Sequence, residues 1–150
     1  MAATKISIKV KRPIEEVFTY VVGLDNLSEW TPVILDSWPL SGNYPEVGST
    51  YMVKAQFMGK TMEIPSEVVG YEPNRLYAYR SNGSLAYVDT ISFQKTETGT
   101  LVTEHINMKS EGRFSRLLDP LKLIISKRSH KKNQRLLKEI LEGGKVVVLA

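Results

Sequence analysis

Between residues 50 and 109 the chain alternates apolar and polar side chains in five segments divided by strong turn signals, a pattern that leaves little room for anything but an antiparallel sheet. Gly59-Lys60 suits a two-residue turn in which glycine takes the positive φ, Asn82-Gly83 is the favoured type I′ pair, and residues 97–99 break the next hairpin. Strands are predicted at residues 50–58, 61–71, 75–81, 86–95 and 100–109. Upstream, residues 4–10 alternate in the same way, with Ile6, Ile8 and Val10 opposite Lys5, Ser7 and Lys9, and residues 33–38 read as a further strand. Seven strands result. Pro65 cannot donate a ladder hydrogen bond, which predicts a bulge or an edge position.

Two short helices are expected between the first two strands. Pro13 suits a first helical position, Glu15 and Glu16 favour the positive end of the helix, and Ile14, Val17, Phe18 and Val21 follow the helical repeat. Leu24, Leu27 and Trp30 continue as a second piece, with Asp25 as its cap and Thr31-Pro32 as its end. The last element is a long helix starting near Asp119-Pro120 and stopping at Gly143-Gly144. At ~1.5 Å per residue it would run ~35 Å, enough to cross a sheet. The order is that of an α+β fold in one domain, residues 1–150, with a seven-stranded curved antiparallel sheet and a long C-terminal helix.

Composition narrows the function classes. With 42% hydrophobic and 24% charged residues, and no apolar run near the ~20 residues a membrane span requires, a soluble protein is expected. Residues 1–8 show no secretory pattern, so the cytoplasm is the default location. There is no cysteine, which removes disulfides, thiolate nucleophiles and cysteine-bound zinc, and His105 and His130 alone do not make an all-histidine site. No cofactor and no metal are expected. Phosphate-cradling glycine loops, helical metalloprotease motifs and nucleophile elbows are missing from the sequence.

Hairpin turns set register, and register sets which side chains face inward. A Gly59-Lys60 turn places Phe57 opposite Met62, Ala55 opposite Ile64 and Tyr51 opposite Val68. An Asn82-Gly83 turn places Ala78 opposite Tyr87 and Leu76 opposite Asp89, and a loop over 96–99 sets Phe93 against Val102 and Ile91 against Glu104. The predicted inner face is then Leu76, Ala78, Arg80, Tyr87, Asp89, Ile91, Phe93, Val102, Glu104, Ile106 and Met108. Three charged residues on it, Arg80, Asp89 and Glu104, are costly unless paired or hydrogen-bonded. They fit a pocket whose few polar groups orient an apolar guest, or an internal ion-pair network without one. In the last helix the apolar stripe of Leu121, Ile124, Ile125, Leu136, Leu137, Ile140 and Leu141 is interrupted by Arg128, Ser129, Lys132 and Asn133. That is tolerable over a partly hydrated cavity, or where the helix turns into solvent.

The segment from Arg12-Pro13-Ile14-Glu15-Glu16-Val17-Phe18 through Leu27-Ser28-Glu29-Trp30 resembles the opening of the START-like (SRPBCC, helix-grip) superfamily, in its polyketide cyclase/dehydrase and lipid transport branch. Val47-Gly48-Ser49, Glu72-Pro73-Asn74-Arg75-Leu76, Gly99-Thr100-Leu101-Val102-Thr103 and the stretch from Asn133-Gln134-Arg135-Leu136-Leu137 to Glu142 are similar to later motifs of that branch. The resemblance implies a sheet gripping the final helix around a cavity and carries no universal catalytic motif.

The expected function is binding or transport of a hydrophobic small molecule such as a lipid, isoprenoid or aromatic polyketide. The expected ligand-binding residues are Tyr51, Phe57, Ile64, Ala78, Tyr87, Ile91 and Ile106, with Arg80, Asp89, Glu104 and Arg128 as polar anchors. The alternative is a cyclase or dehydratase acting on such a molecule by acid–base chemistry from Asp89, Glu104, Arg80 and Tyr87. A third reading is an interaction module with a collapsed cavity. The basic run Lys127-Arg128-Ser129-His130-Lys131-Lys132 could touch an anionic membrane transiently. Without stacking aromatics it does not suggest nucleic acid.

Overall fold

The computed structural model describes residues 2–82, 86–108 and 126–149. Among them, strand β1 (Ala2–Val10) leads into helix α1 (Ile14–Val22), a 3-10 turn (Leu24–Asn26) and the one-turn helix α2 (Leu27–Trp30). Six strands follow: β2 (Ile34–Ser41), β3 (Thr50–Phe57), β4 (Lys60–Glu72), β5 (Leu76–Ser81), β6 (Tyr87–Lys95) and β7 (Thr100–Met108). Helix α3 (Lys127–Glu142) closes the described chain. The strands form one sheet in the order β1-β7-β6-β5-β4-β3-β2, every neighbouring pair antiparallel. The expected seven-stranded sheet with two short helices after the first strand is therefore present.

Local chemistry departs from expectation at several ends. Pro13 stands just outside α1, its ψ of 147° still extended, and its carbonyl accepts from the Glu16 and Val17 N–H groups. Asp25 caps nothing and lies inside the 3-10 turn; Asn26 precedes α2 without a side-chain cap bond. Pro65 sits in β4 opposite Met52, just past the end of β5, where its carbonyl accepts from Asn82 N–H at 2.9 Å. The bulge of β4 falls between Val68 and Gly70 instead.

The β3–β4 turn is Met58-Gly59, both at positive φ (54° and 78°), rather than Gly59-Lys60. Phe57 therefore faces Lys60, Ala55 faces Met62 and Tyr51 faces Ser66. Each partner is two residues from its expected one, so the inward face is unchanged. The β6–β7 hairpin has the expected register, Phe93 with Val102 and Ile91 with Glu104. The β5–β6 hairpin does not. Ser81 pairs with Tyr87 and Tyr79 with Asp89, so five residues, 82–86, join the strands instead of a two-residue Asn82-Gly83 turn; Gly83 itself lies outside the described residues. An odd displacement in register turns every β5 side chain over. Tyr77, Tyr79 and Ser81 face the core, while Leu76, Ala78 and Arg80 face outward. The exchange turns Tyr77 and Ser81 into the buried interior, leaves Tyr79 half-buried against it, and releases a guanidinium to water, where it pairs with Glu67 of β4.

Helix α3 starts at Lys127 because Ser126 is extended (ψ 156°) and its side chain accepts the Ser129 N–H at 3.2 Å. Its sixteen residues span ~24 Å, shorter than the continuous helix expected from Asp119-Pro120, which lies outside the described residues. α3 lies along β1, an open edge of the sheet. Gln134 Nε2 donates to the Ile6 carbonyl (3.4 Å), Lys138 Nζ to the Lys9 carbonyl (2.8 Å), and Glu142 Oε2 accepts the Lys11 N–H (2.8 Å). These side chains occupy backbone groups that would otherwise invite another strand. The buried stripe of α3 is His130, Gln134, Leu137 and Leu141, spaced as one helical face. Its lower half packs in the core with Val10, Val17, Phe18 and Phe93; its upper half is polar.

Candidate functional site

A cavity of about 70 Å³ lies between the concave face of the sheet and the three helices. Its floor is Tyr51, Val53 and Ala55 of β3, Ile64 and Ser66 of β4, Tyr77 and Tyr79 of β5, Tyr87, Asp89 and Ile91 of β6, and Glu104 of β7. Val21 and Val22 of α1, Leu24, Leu27 and Trp30 form one rim, and His130 and Asn133 of α3 the other. Alternation along each strand is what aligns these side chains: residues two apart point the same way, so 87, 89 and 91 or 51, 53 and 55 line one wall.

Six of the eleven sequence-predicted residues lie on this wall: Tyr51, Ile64, Tyr87, Asp89, Ile91 and Glu104. Ile106 faces inward and is buried, but in the packed core rather than on the wall. Phe57 is half-buried at the end of β3 beside the turn, off the wall. Three positions are corrected. Ala78 is on the outer face against Gly70, and Arg80 is on the same face with Glu67, both because the β5–β6 register is odd relative to a two-residue turn. Arg128 is exposed on α3, two residues and ~200° around the helix from His130, which takes the inward position. The sequence reading missed Tyr77, Tyr79, Trp30, His130 and Asn133. For His130 a signal existed: it stands four residues before Gln134 and seven before Leu137, on the stripe that ends at Leu141.

The polar end of the cavity joins strands and helix. Asp89 and Glu104, on adjacent strands, are 1% and 2% exposed. His130 Nε2 stands 3.8 Å from Asp89 Oδ2 and 3.7 Å from Glu104 Oε2. Its other nitrogen, Nδ1, is 3.1 Å from the Ser126 carbonyl, which can only accept, so Nδ1 carries the hydrogen and Nε2 faces the carboxyls. The Tyr79 hydroxyl donates to Asp89 Oδ2 at 3.1 Å. Burial pushes the Glu104 carboxyl up to about 7 and Asp89 well above the usual carboxylate range, the latter further because Glu104 is its neighbour. Burial likewise raises the phenols of Tyr51, Tyr77, Tyr79 and Tyr87, so all four stay neutral donors at physiological pH.

The tyrosines form a second polar feature on an otherwise apolar wall. Tyr44 donates to the Val22 carbonyl at 2.6 Å, its oxygen is 2.8 Å from that of Tyr77, and Tyr77 reaches Tyr51 at 3.3 Å. Edge-to-face packing links Tyr44 with Tyr51 and Tyr79 with Tyr87.

Residues 1–140 match the family model described as polyketide cyclase / dehydrase and lipid transport. The chain belongs to that family. Several solved structures superpose over nearly the whole chain. Protein MLL2253 from Mesorhizobium loti matches with a TM-score of 0.74 at 17% identity, over 97% of this chain and 100% of that one. Ara h 8.0201 matches with a TM-score of 0.73 at 16% identity, over 94% and 98%. The di-domain aromatase/cyclase StfQ of the steffimycin biosynthetic pathway matches with a TM-score of 0.73 at 16% identity, over 94% of this chain and 51% of that one. Identities this low establish the helix-grip fold shared with them. No curated protein matches the chain in sequence.

Proposed function

We propose that this chain, as a single domain over residues 1–150, binds a small hydrophobic molecule in the cavity, with Asp89, Glu104 and His130 meeting its polar end. One observation carries the reading. Among the described residues, two buried side-chain polar atoms have no hydrogen-bond partner, Trp30 Nε1 and Asp89 Oδ1, and both belong to the cavity wall. Buried polar atoms without partners are costly, ~1–3 kcal/mol each, and a guest or ordered water that satisfies them recovers that cost. Apolar walls with a few polar groups are what such a site needs for affinity and orientation. The family's lipid transport description and the aromatase/cyclase relative both support a guest of this kind. A free volume of about 70 Å³ corresponds to only a few water molecules, so a lipid, isoprenoid or polyketide enters only with lining side chains displaced.

A second reading is favoured by the same polar end. Two carboxyls and an imidazole within reach of one another are the groups that a cyclase or dehydratase would use to move protons on a bound ketone or alcohol.

Native mass spectrometry of the protein purified from its own organism, followed by denaturing analysis of what co-purifies, tests the binding reading. A stoichiometric apolar compound supports it, and a clean mass that stays unchanged on incubation with aromatic and acyl compounds refutes it. With the compound in hand, Glu104→Gln separates the two readings: a carrier keeps its affinity for a neutral guest, whereas an enzyme keeps the guest and loses turnover.

A further inference from the structure

The polar end of the cavity sets two carboxyl groups, hydrogen-bonded to each other, against an imidazole. His130 donates its Nδ1–H to the Ser126 carbonyl and turns Nε2 toward two carboxyl groups. The distances between them, 3.7 and 3.8 Å, are too long for hydrogen bonds. They are close to the edges of a coordination polyhedron. One ligand atom from each of Asp89, Glu104 and His130 lies within 4.8 Å of the other two. A point equidistant from three atoms so placed sits roughly 2.1–2.4 Å from each, against about 2.0–2.2 Å for zinc on imidazole and carboxylate. A contraction of a few tenths of an ångström closes the difference.

Four further features support a cation there. Asp89 is 1% exposed, and its Oδ1 has no partner, leaving a lone pair free beside the cluster. The histidine is oriented through its far nitrogen by a backbone carbonyl, which is the usual support of a metal-bound imidazole. The carboxyls are held as well, Asp89 by the Tyr79 hydroxyl and Glu104 by Gln134. All three residues come from rigid elements, β6, β7 and α3.

We propose that Asp89, Glu104 and His130 form a three-ligand site for a divalent first-row transition ion of the zinc class, with its remaining positions open to the cavity. The imidazole disfavours magnesium and calcium, which prefer all-oxygen shells, and the absence of cysteine disfavours copper(I). Three protein ligands with an open position are the arrangement of metal sites that accept an exchangeable oxygen ligand. Given the cavity-binding reading, that ligand is an oxygen at the polar end of the guest, such as a carboxylate, phenolate or enolate. The metal site itself does not depend on that reading.

The test is metal binding by the full chain. Protein stripped with EDTA and dialysed against zinc chloride is expected to retain one zinc per chain by elemental analysis. Asp89→Asn, Glu104→Gln and His130→Gln are each expected to weaken zinc at least a hundred-fold in calorimetric titration, and His105→Ala, on the outer face, to leave it unchanged. Cobalt(II) added to the wild-type protein is expected to give visible absorption bands of a low-coordinate site that zinc abolishes, a readout that stands even if a variant fails to fold. Substoichiometric zinc, equal affinity in the three site variants, loss of zinc in the His105 variant, or a cobalt spectrum identical to that of the hydrated ion would each overturn the site. A protein that takes no zinc yet carries a stoichiometric organic compound sinks the metal site and leaves the cavity reading standing.

Discussion

The hydroxyl relay beneath the cavity gives a stability prediction that follows from counting protons. Each phenol carries one hydrogen. Tyr44 commits its own to the Val22 carbonyl at 2.6 Å, and Tyr77 donates to Tyr51 at 3.3 Å, with the Tyr44 oxygen 2.8 Å away as its alternative acceptor. Tyr51, 2% exposed, accepts that bond and has the Tyr77 hydroxyl as its hydrogen-bond partner among the described residues. Tyr77→Phe strands the Tyr51 hydroxyl in the core, which costs about 1–3 kcal/mol, while Tyr44 keeps its carbonyl. Tyr51→Phe removes only the longest bond of the relay and leaves Tyr77 bonded to Tyr44, so it should cost less than about 1 kcal/mol. The double variant strands nothing. It should be at least as stable as Tyr77→Phe alone, giving a coupling of about 1–2 kcal/mol between the two positions. Urea denaturation of the four proteins, read as midpoints at constant slope, measures it. If the double loss equals the sum of the single losses within about 0.5 kcal/mol, the Tyr51 hydroxyl is not held by Tyr77 and the proton count is wrong.

Three other perturbations test separate parts of the structure. Ala55→Leu extends a buried wall residue of β3 into the cavity; guest binding measured by native mass spectrometry should fall at least ten-fold, while the melting temperature holds or rises because each newly buried methylene contributes ~0.8 kcal/mol. Gly99→Ala puts a Cβ 2.1 Å from the Val10 carbonyl oxygen, where β7 begins beside the end of β1, and should cost more than about 4 kcal/mol or prevent folding, seen as loss of the cooperative circular dichroism transition. Arg80→Ala breaks only a solvent-facing pair with Glu67, so both stability and guest binding should change by less than about 1 kcal/mol; a large loss of guest affinity would return Arg80 to the cavity.

How far the site was legible in the sequence depended on loop parity. On β3, β6 and β7 the alternation and the hairpins gave the correct inward face, because the β6–β7 loop was read at its true length and the β3–β4 turn was misplaced by an even step. Asp89 and Glu104 were recognisable as charges on an apolar face for that reason. On β5 both possible faces carry hydrophobic residues, Leu76 and Ala78 on one and Tyr77 and Tyr79 on the other, so alternation could not decide between them and a turn motif was trusted. Asn82-Gly83 favours a tight turn locally, but pairing Tyr79 with Asp89 turns two tyrosines inward, Tyr77 fully buried, gives Asp89 a donor and frees Arg80. Those gains exceed the ~1 kcal/mol scale of local strand and turn preferences.

What the sequence determined by itself was the sequence of elements, the antiparallel sheet, the wall of apolar side chains and the family to which the chain belongs, since these rest on periodicities and short motifs that survive small errors of position. Tertiary structure decided what shares the cavity. His130 is 41 residues beyond Asp89 and 26 beyond Glu104, and no spacing rule joins them. They meet because Ser126 caps α3 at one phase, Gln134 and Lys138 seat that helix on the exposed carbonyls of β1, and the phase then turns His130 inward and Arg128 out. A helix rotates its side chains by ~100° per residue, so a start displaced by two positions presents a different face to the sheet, and only the packed assembly selects which one.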